Sequence, residues 1–203
     1  MRLGEDDIKL YLPQYLSEDG MKALKRDLRH FSEGHDSGEY FTNRLKNEPY
    51  LLQGDLTKSL YCNLPDPRLG QVPVILLSNT CDMDLDNIRL NPCRIMFAPI
   101  INLNKYRLLL ENNNVKPSII DSHIADIKNQ VVSQIFYLPT EILWGYDSIV
   151  MFDRIISLPL TKDNINQLIA DRSATLSNYG FYLLLLKLSY HFTRIQEKVD
   201  RSI

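Results

Sequence analysis

The stretch VPVILLSNTCDMDLDN, Val72 to Asn87, changes character half-way along. Its first six residues form an unbroken apolar run of strand length, which predicts a β-strand buried on both faces. Ser78-Asn79-Thr80-Cys81-Asp82 follows, and side chains of these types bond turn amides, so the exit reads as a turn at the rim of a barrel. Aspartates then stand at every second position, Asp82, Asp84 and Asp86. Neither a strand nor a turn requires them, and they mark the exit as a candidate site.

Outward from this strand the hydrophobic period stays near two between 50 and 101. YLLQGDLTKSLYCNL, 50–64, predicts a strand kinked at Gly54, and PDPRLGQ, 65–71, a loop. NPCRIMFAPIINL, 91–103, predicts a strand ended by Asn102 and Asn104. Residues 105–133 read as an insertion with one helix, PSIIDSHIADIKNQVVS, with Pro117 in its first turn. QIFYLP, SIVMFDR and IISLPL then predict three short strands. Before this region, 17–47 reads as helical. Met21, Leu24, Leu28 and Phe31 form one apolar stripe, with Ser17 as N-cap and Gly34 as stop. A second short helix is expected over GEYFTNRLKN, 38–47, closed by Pro49.

After this region, 161–199 reads as helical throughout, with a break near Ser177–Gly180. Leu176, Tyr179, Leu183, Leu186 and Tyr190 form a stripe that Tyr182, Leu185 and Phe192 widen. So apolar a helix must be covered, either by packing across the open end of the β-core or by an oligomer interface. The expected architecture is α+β. An N-terminal helical extension occupies 1–48. A small antiparallel barrel-like core of five or six strands spans 49–160, with its helical insertion near 117–133. A long apolar C-terminal helical segment, 161–203, packs on the barrel.

With 203 residues, 44% hydrophobic content and a formal charge of −2, the chain makes no overall electrostatic case for nucleic acid or an anionic membrane. Three sparse cysteines argue against a disulfide framework and fit a reducing cytoplasm. No apolar leader opens the sequence. The longest apolar run, FYLLLL, stops at Lys187, far short of the roughly 20 residues of a membrane span. The Lys22–His30 face could take nucleic acid with steep salt dependence, or simply be solvated.

In a catalytic reading of the strand exit, Cys81 is the nucleophile and Asp82 orients a base or ligand, flanked by Ser78, Asn79, Thr80, Asp84 and Asp86 as binding residues. A cysteine nucleophile needs a histidine or positive charge beside it. His30, His35, His123 and His191 are all distant in sequence. In the alternative reading Cys81 is a small buried side chain and its polar neighbours serve the turn. Asp82, Asp84 and Asp86 match positions 1, 3 and 5 of an EF-hand loop, but Asn87 and Cys93 replace its glycine and its glutamate. No cofactor is therefore expected. An extended run would still place the three aspartates on one face for Mg2+ or a basic partner. Cys62, Cys81 and Cys93 could meet at zinc, although no Cys-x-x-Cys pair is present. His191 and Arg194, with Asp171 and Arg172, could bind phosphate or decorate a helix surface. Asp55 reads as a turn or bulge residue.

Gly54-Asp55-Leu56, then GQVPVILLSN, 70–79, and RIMFAPI, 94–100, together resemble the PemK/MazF-like toxin family over roughly 50–101. The resemblance implies a small SH3-like barrel, and many members of that family cut single-stranded RNA. The RNA-cutting members carry an arginine before the proline, where this chain has Val72, and a threonine or serine on the next strand, where FAPII has none. Cutting by 2′-hydroxyl attack needs both a base and a donor to the phosphate. The chain is also similar to bacterial proteins with a Ser-x-Thr-Cys-Asp strand end and a late Leu-Ser, Gly, Leu-Leu, His-Phe-x-Arg helix, here Leu176 to Arg194. Two functions are therefore expected as alternatives. One is a non-catalytic interaction module of a bacterial toxin–antitoxin, stress or phage-defence system, binding a partner protein or a second copy through the C-terminal helix. The other is an endoribonuclease or other phosphodiesterase built around Cys81 and Asp82.

Overall fold

The computed structural model describes residues 18–32, 39–63, 69–87, 90–91, 93–140 and 145–192. Eight strands form one antiparallel sheet: β1 (Phe41–Thr42), β2 (Asp55–Asn63), β3 (Leu69–Leu76), β4 (Arg94–Asn102), β5 (Ile135–Leu138), β6 (Ser148–Met151), β7 (Ile156–Pro159) and β8 (Arg172–Leu176). Their order is β1-β8-β2-β3-β4-β6-β5, with β7 also paired to β4. β4 makes the bend. Its first half, Arg94 to Phe97, pairs with β7, and its last residues, Ile100 to Asn102, pair with β6. The sheet thereby curls into a half-barrel.

Among the described residues five α-helices accompany it: α1 (Glu18–Ser32), α2 (Leu103–Asn112), α3 (Pro117–Lys128), α4 (Lys162–Ala170) and α5 (Asn178–Phe192). The buried strand expected at 72–77 is β3. Val74, Ile75 and Leu76 have no exposed surface. Ile75 and Leu77 join the core formed with α5, while Val74 and Leu76 join the cluster that contains Leu168 of α4. A third cluster, with Leu103, Ile127, Ile135 and Ile149, seats α2 and α3 on β5 and β6.

Three expectations are corrected. Residues 38–47 form no helix: the described part holds β1 and turns, because the Ser177 amide donates to the Tyr40 carbonyl at 2.9 Å and fixes that segment beside β8. The segment 161–199 is not helical throughout, since β8 lies inside it and pairs with both β1 and β2. The insertion holds two helices. Asn102 does end β4, but its side chain also accepts from the amides of Asn104 and Lys105, so it caps α2. α3 stops at Lys128 short of 133, and Gln130 follows with a positive φ of 56°. Among the described residues six strands, β2 to β7, lie within 49–160, in line with the five or six expected, and β1 and β8 join them from outside that range. Ser17, Gly34 and His35 lie outside the described residues.

The junction expected near Ser177–Gly180 is the start of α5. The Ser177 hydroxyl accepts from the Gly180 amide at 3.1 Å and donates to the Glu39 carbonyl, so one side chain caps the helix and ties down β1. A Cβ at Gly180 would lie 2.3 Å from the Tyr40 carbonyl oxygen. Only glycine allows that approach. Gly180→Ala should lower stability by about 1–3 kcal/mol, the usual cost of overpacking, as measured by urea unfolding. An unchanged midpoint would show that β1 and α5 do not meet this closely.

Candidate functional site

The strand exit folds as a tight turn. The buried Ser78 hydroxyl accepts from the Met96 amide at 2.7 Å, which joins the end of β3 to β4. Asn79 caps a single 3-10 turn, Thr80–Met83, by accepting from the Cys81 amide at 3.0 Å. Thr80 Oγ1 accepts from the Gln53 amide at 3.1 Å, and Gln53 Nε2 donates to the Leu77 carbonyl at 2.8 Å. Met83 anchors the turn in the core. Asp84 Oδ1 then accepts from the Asp86 amide at 2.9 Å, and Asn87 Nδ2 donates to the Cys81 carbonyl at 3.0 Å.

The alternating aspartates therefore do not line one face of an extended strand. Asp82 lies in the 3-10 turn, Asp84 shapes the next turn, and Asp86 is exposed. Cys81 is exposed too, which corrects the buried-cysteine reading. Its thiol makes no hydrogen bond among the described residues. Cys93 is half-buried against the β3–β4 cluster and Cys62 lies on β2. Among the described residues no group of three or more His, Cys, Asp or Glu side chains could hold a metal ion.

The phosphate cluster expected at the C-terminus is not assembled as predicted. His191 sits at the end of α5 with its ring 5.7 Å from that of Phe152, and Arg194 lies outside the described residues. Arg172 does not decorate a helix: it is buried on β8 and meets Asp55 at 2.8 Å, both side chains being almost wholly enclosed. The guanidinium also donates to the carbonyls of Leu45 (3.2 Å), Lys46 (3.3 Å), Glu48 (2.9 Å) and Tyr50, and so fastens the loop before β2. Asp55 further accepts from the Leu52 amide at 2.9 Å and the Thr175 hydroxyl at 2.7 Å. Burial pushes the Asp55 carboxyl above its ordinary value, against these hydrogen bonds and Arg172, which draw it down. Arginine does not give up its proton, so the Arg172 guanidinium stays charged at neutral pH. Gly54, at φ 90°, packs against Leu176, whose amide donates to the Gly54 carbonyl at 3.3 Å. The Gly-Asp stretch and the Leu-Ser stretch, far apart in sequence, thus form one buried hub.

Two other polar groupings were not expected. Tyr106 of α2 and His123 of α3 share a hydrogen bond at 3.0 Å, and Arg107 meets Asp121 at 2.6 Å and Glu111 at 3.0 Å. Burial, and then the Asp153 charge, raise the Tyr106 hydroxyl. These bonds clamp the α2–α3 hairpin. The second grouping surrounds a cleft of about 730 Å3 between α1, the β1 segment and the start of α5. Leu24, Phe41, Leu176 and Tyr179 give it an apolar lining, and Arg26, Asp27, Glu39 and Arg44 a charged one. Arg26 pairs with Asp27 at 3.1 Å. Glu39 and Arg44 make no ion pair among the described residues.

No family model matches this chain, and no curated protein is significantly similar to it. Its chemistry therefore has to be read from the groups themselves. Ser78, Asn79 and Thr80 hold the turn, and Asp55 holds Arg172. Cys81 and Asp82 are neighbours on the turn.

Arg172→Met should cost about 3–5 kcal/mol, because it leaves the Asp55 carboxylate buried and unpaired. Adding Asp55→Asn should regain part of that loss, about 1 kcal/mol or more, since the neutral amide keeps an acceptor and loses the charge. Urea unfolding of the two variants checks this. At the strand exit, Ser78→Ala should cost about 1–3 kcal/mol by orphaning the Met96 amide. Cys81→Ser should stay within about 0.5 kcal/mol of wild type, as for an exposed side chain.

Proposed function

We propose that the chain is a non-catalytic interaction module of a bacterial toxin–antitoxin, stress or phage-defence system. Its curled sheet is read as a degenerate PemK/MazF-like, SH3-like barrel, and its ligand as a partner protein. One observation carries the reading. At the strand exit the Ser78, Asn79, Thr80 and Asp84 side chains are bonded to this chain's own backbone, Asp55 is taken up by Arg172, and the exposed Cys81 thiol has no hydrogen-bond partner among the described residues. Val72 and the apolar FAPII segment, in place of the arginine and hydroxyl of RNA-cutting barrels, point the same way.

The partner surface of this reading is the cleft between α1 and the start of α5. Most of α5 is covered by the chain's own core, including Tyr179, Tyr182, Leu183, Leu184 and Leu186. The helix therefore offers a partner its two ends and the half-buried face of Phe181, Leu185 and Leu188. Asn178 and Tyr179 open into the cleft, and Tyr190 and Phe192 are exposed at the far end. Among the described residues no helix is long and apolar enough to cross a membrane.

Purified protein incubated with labelled single-stranded RNA, with and without Mg2+, should leave the RNA intact. Mixed with the product of a flanking gene, it should co-elute on size exclusion. Glu39→Arg with Arg44→Glu should abolish the complex while leaving the unfolding midpoint unchanged. RNA cleavage that disappears in a Cys81→Ser, Asp82→Asn variant would overturn the module reading in favour of a phosphodiesterase.

A further inference from the structure

Lys187 is the one lysine among the described residues with its side chain enclosed, 1% exposed in the middle of α5. Its amine donates to the carbonyls of Gln130 at 2.8 Å and Val132 at 2.5 Å, both on the connection between α3 and β5. Two carbonyls match the two N–H donors of a neutral amine. An ammonium ion has a third, and no further acceptor for it is present among the described residues.

The connection Lys187 holds has a task of its own. β5 is an edge strand, and an edge presents unpaired backbone groups. The Gln130 side chain covers them, donating to the Tyr137 carbonyl at 2.8 Å and accepting from the Tyr137 amide at 3.1 Å. The Ile135 amide is likewise covered by the Val132 carbonyl at 3.2 Å. Gln130 reaches this position through a left-handed backbone, φ 56°, that its side chain disfavours. The plug is therefore strained, and Lys187 is the side chain that fastens it to α5.

We propose that Lys187 is a proton-linked latch: as a neutral amine it fastens the α3–β5 connection, and on taking up a proton it releases the Gln130 plug from the edge of β5. The released edge presents the Tyr137 amide and carbonyl for pairing. Burial supports this by holding the Lys187 amine down to about 7. No carboxylate lies within ion-pair distance of it among the described residues. The titratable and charged groups on the elements packed around it are few. Tyr40, beside β1, takes a 3.4 Å bond from Gln130, and Tyr137 lies on β5. Lys128 of α3 is paired with Asp147 at 2.7 Å. His191 stands one turn further along α5 against Phe152, whose neighbours Asp153 and Arg154 are 3.9 Å apart.

The sign follows from proton counting. The closed latch holds the amine near 7 and the open one near its ordinary 10.5. Between those values the open form binds a proton that the closed form lacks, so closing strengthens as pH rises from 7 and is weakest below 7. The slope should approach about tenfold in the opening constant per pH unit. Hydrogen exchange of the Ile135 and Tyr137 amides, corrected for intrinsic rate, reads it. Their protection should rise about fiftyfold from pH 7 to 9, and Lys187→Met should remove that slope. A flat wild-type profile, or the same slope in Lys187→Met, overturns the latch. Should Lys187→Met fail to fold, the 13Cε titration of Lys187 in the wild-type protein decides: a value near 7 supports the proposal, and one above about 9 overturns it.

Discussion

The buried pair of Asp55 and Arg172 is the constraint on which the rest of this fold depends. A charge taken out of water is costly unless it is paired and its remaining hydrogen-bonding capacity is met. Arg172 of β8, Thr175 three residues on, the nearby Leu52 amide and the four carbonyls before β2 meet most of this need, although Arg172 Nε has no hydrogen-bond partner among the described residues. The pair therefore selects one register. β8 must enter the sheet between β1 and β2, and the loop over 45–50 must fold back over it. Once β8 is placed, Ser177 caps α5, Gly180 lets the Tyr40 carbonyl approach, and the helix is committed to the open face of the sheet.

This arrangement explains why some elements could be read from the sequence and others could not. β3 and β4 announce themselves because their burial is apolar and continuous, and β5, β6 and β7 because turn residues separate short apolar runs. β8 hides because its buried positions include Arg172 and Thr175, polar types that pattern reading assigns to a surface. Its neighbours are helical, so its five residues were absorbed into a helix. α2 was missed for a related reason. Asn102 is equally a strand stop and a helix cap, and only the amides it receives from decide between the two. Lys187 shows in the sequence only as the break in an apolar run; its bonding to the Gln130 connection depends on a positive φ and on carbonyls, neither of which sequence spacing encodes.

The strand exit shows the same distinction between residue type and residue use. Ser, Asn, Thr, Cys and Asp in succession have the composition of a catalytic turn. They also have the composition of a turn that must satisfy its own amides at the rim of a buried sheet. Each of the first three is bonded to backbone of this chain, so their reactivity is already constrained by folding. What the sequence located correctly was the place where β3 leaves the core. What it could not supply was whether the polar atoms there point at a substrate or at an amide.

A buried lysine with no counter-ion among the described residues is the harder feature to account for. Replacing it with an apolar side chain would remove a desolvation cost, and buried ionisable groups are retained only where something depends on them. Here the dependent structure is the edge of the sheet. The edges at β1 and β5 are treated differently. β1 is only two residues long and is held by Ser177, whereas β5 is fully buried and would be an adhesive strand if its outer groups were bare. A side-chain amide can imitate a strand partner at one residue, but it needs its own backbone held in place. The amine of Lys187 does this by bonding the two carbonyls that flank the reversal, and an apolar residue of the same volume could not. The lysine is therefore explained by what it donates, and its sensitivity to protons is the consequence of burying a donor of that kind.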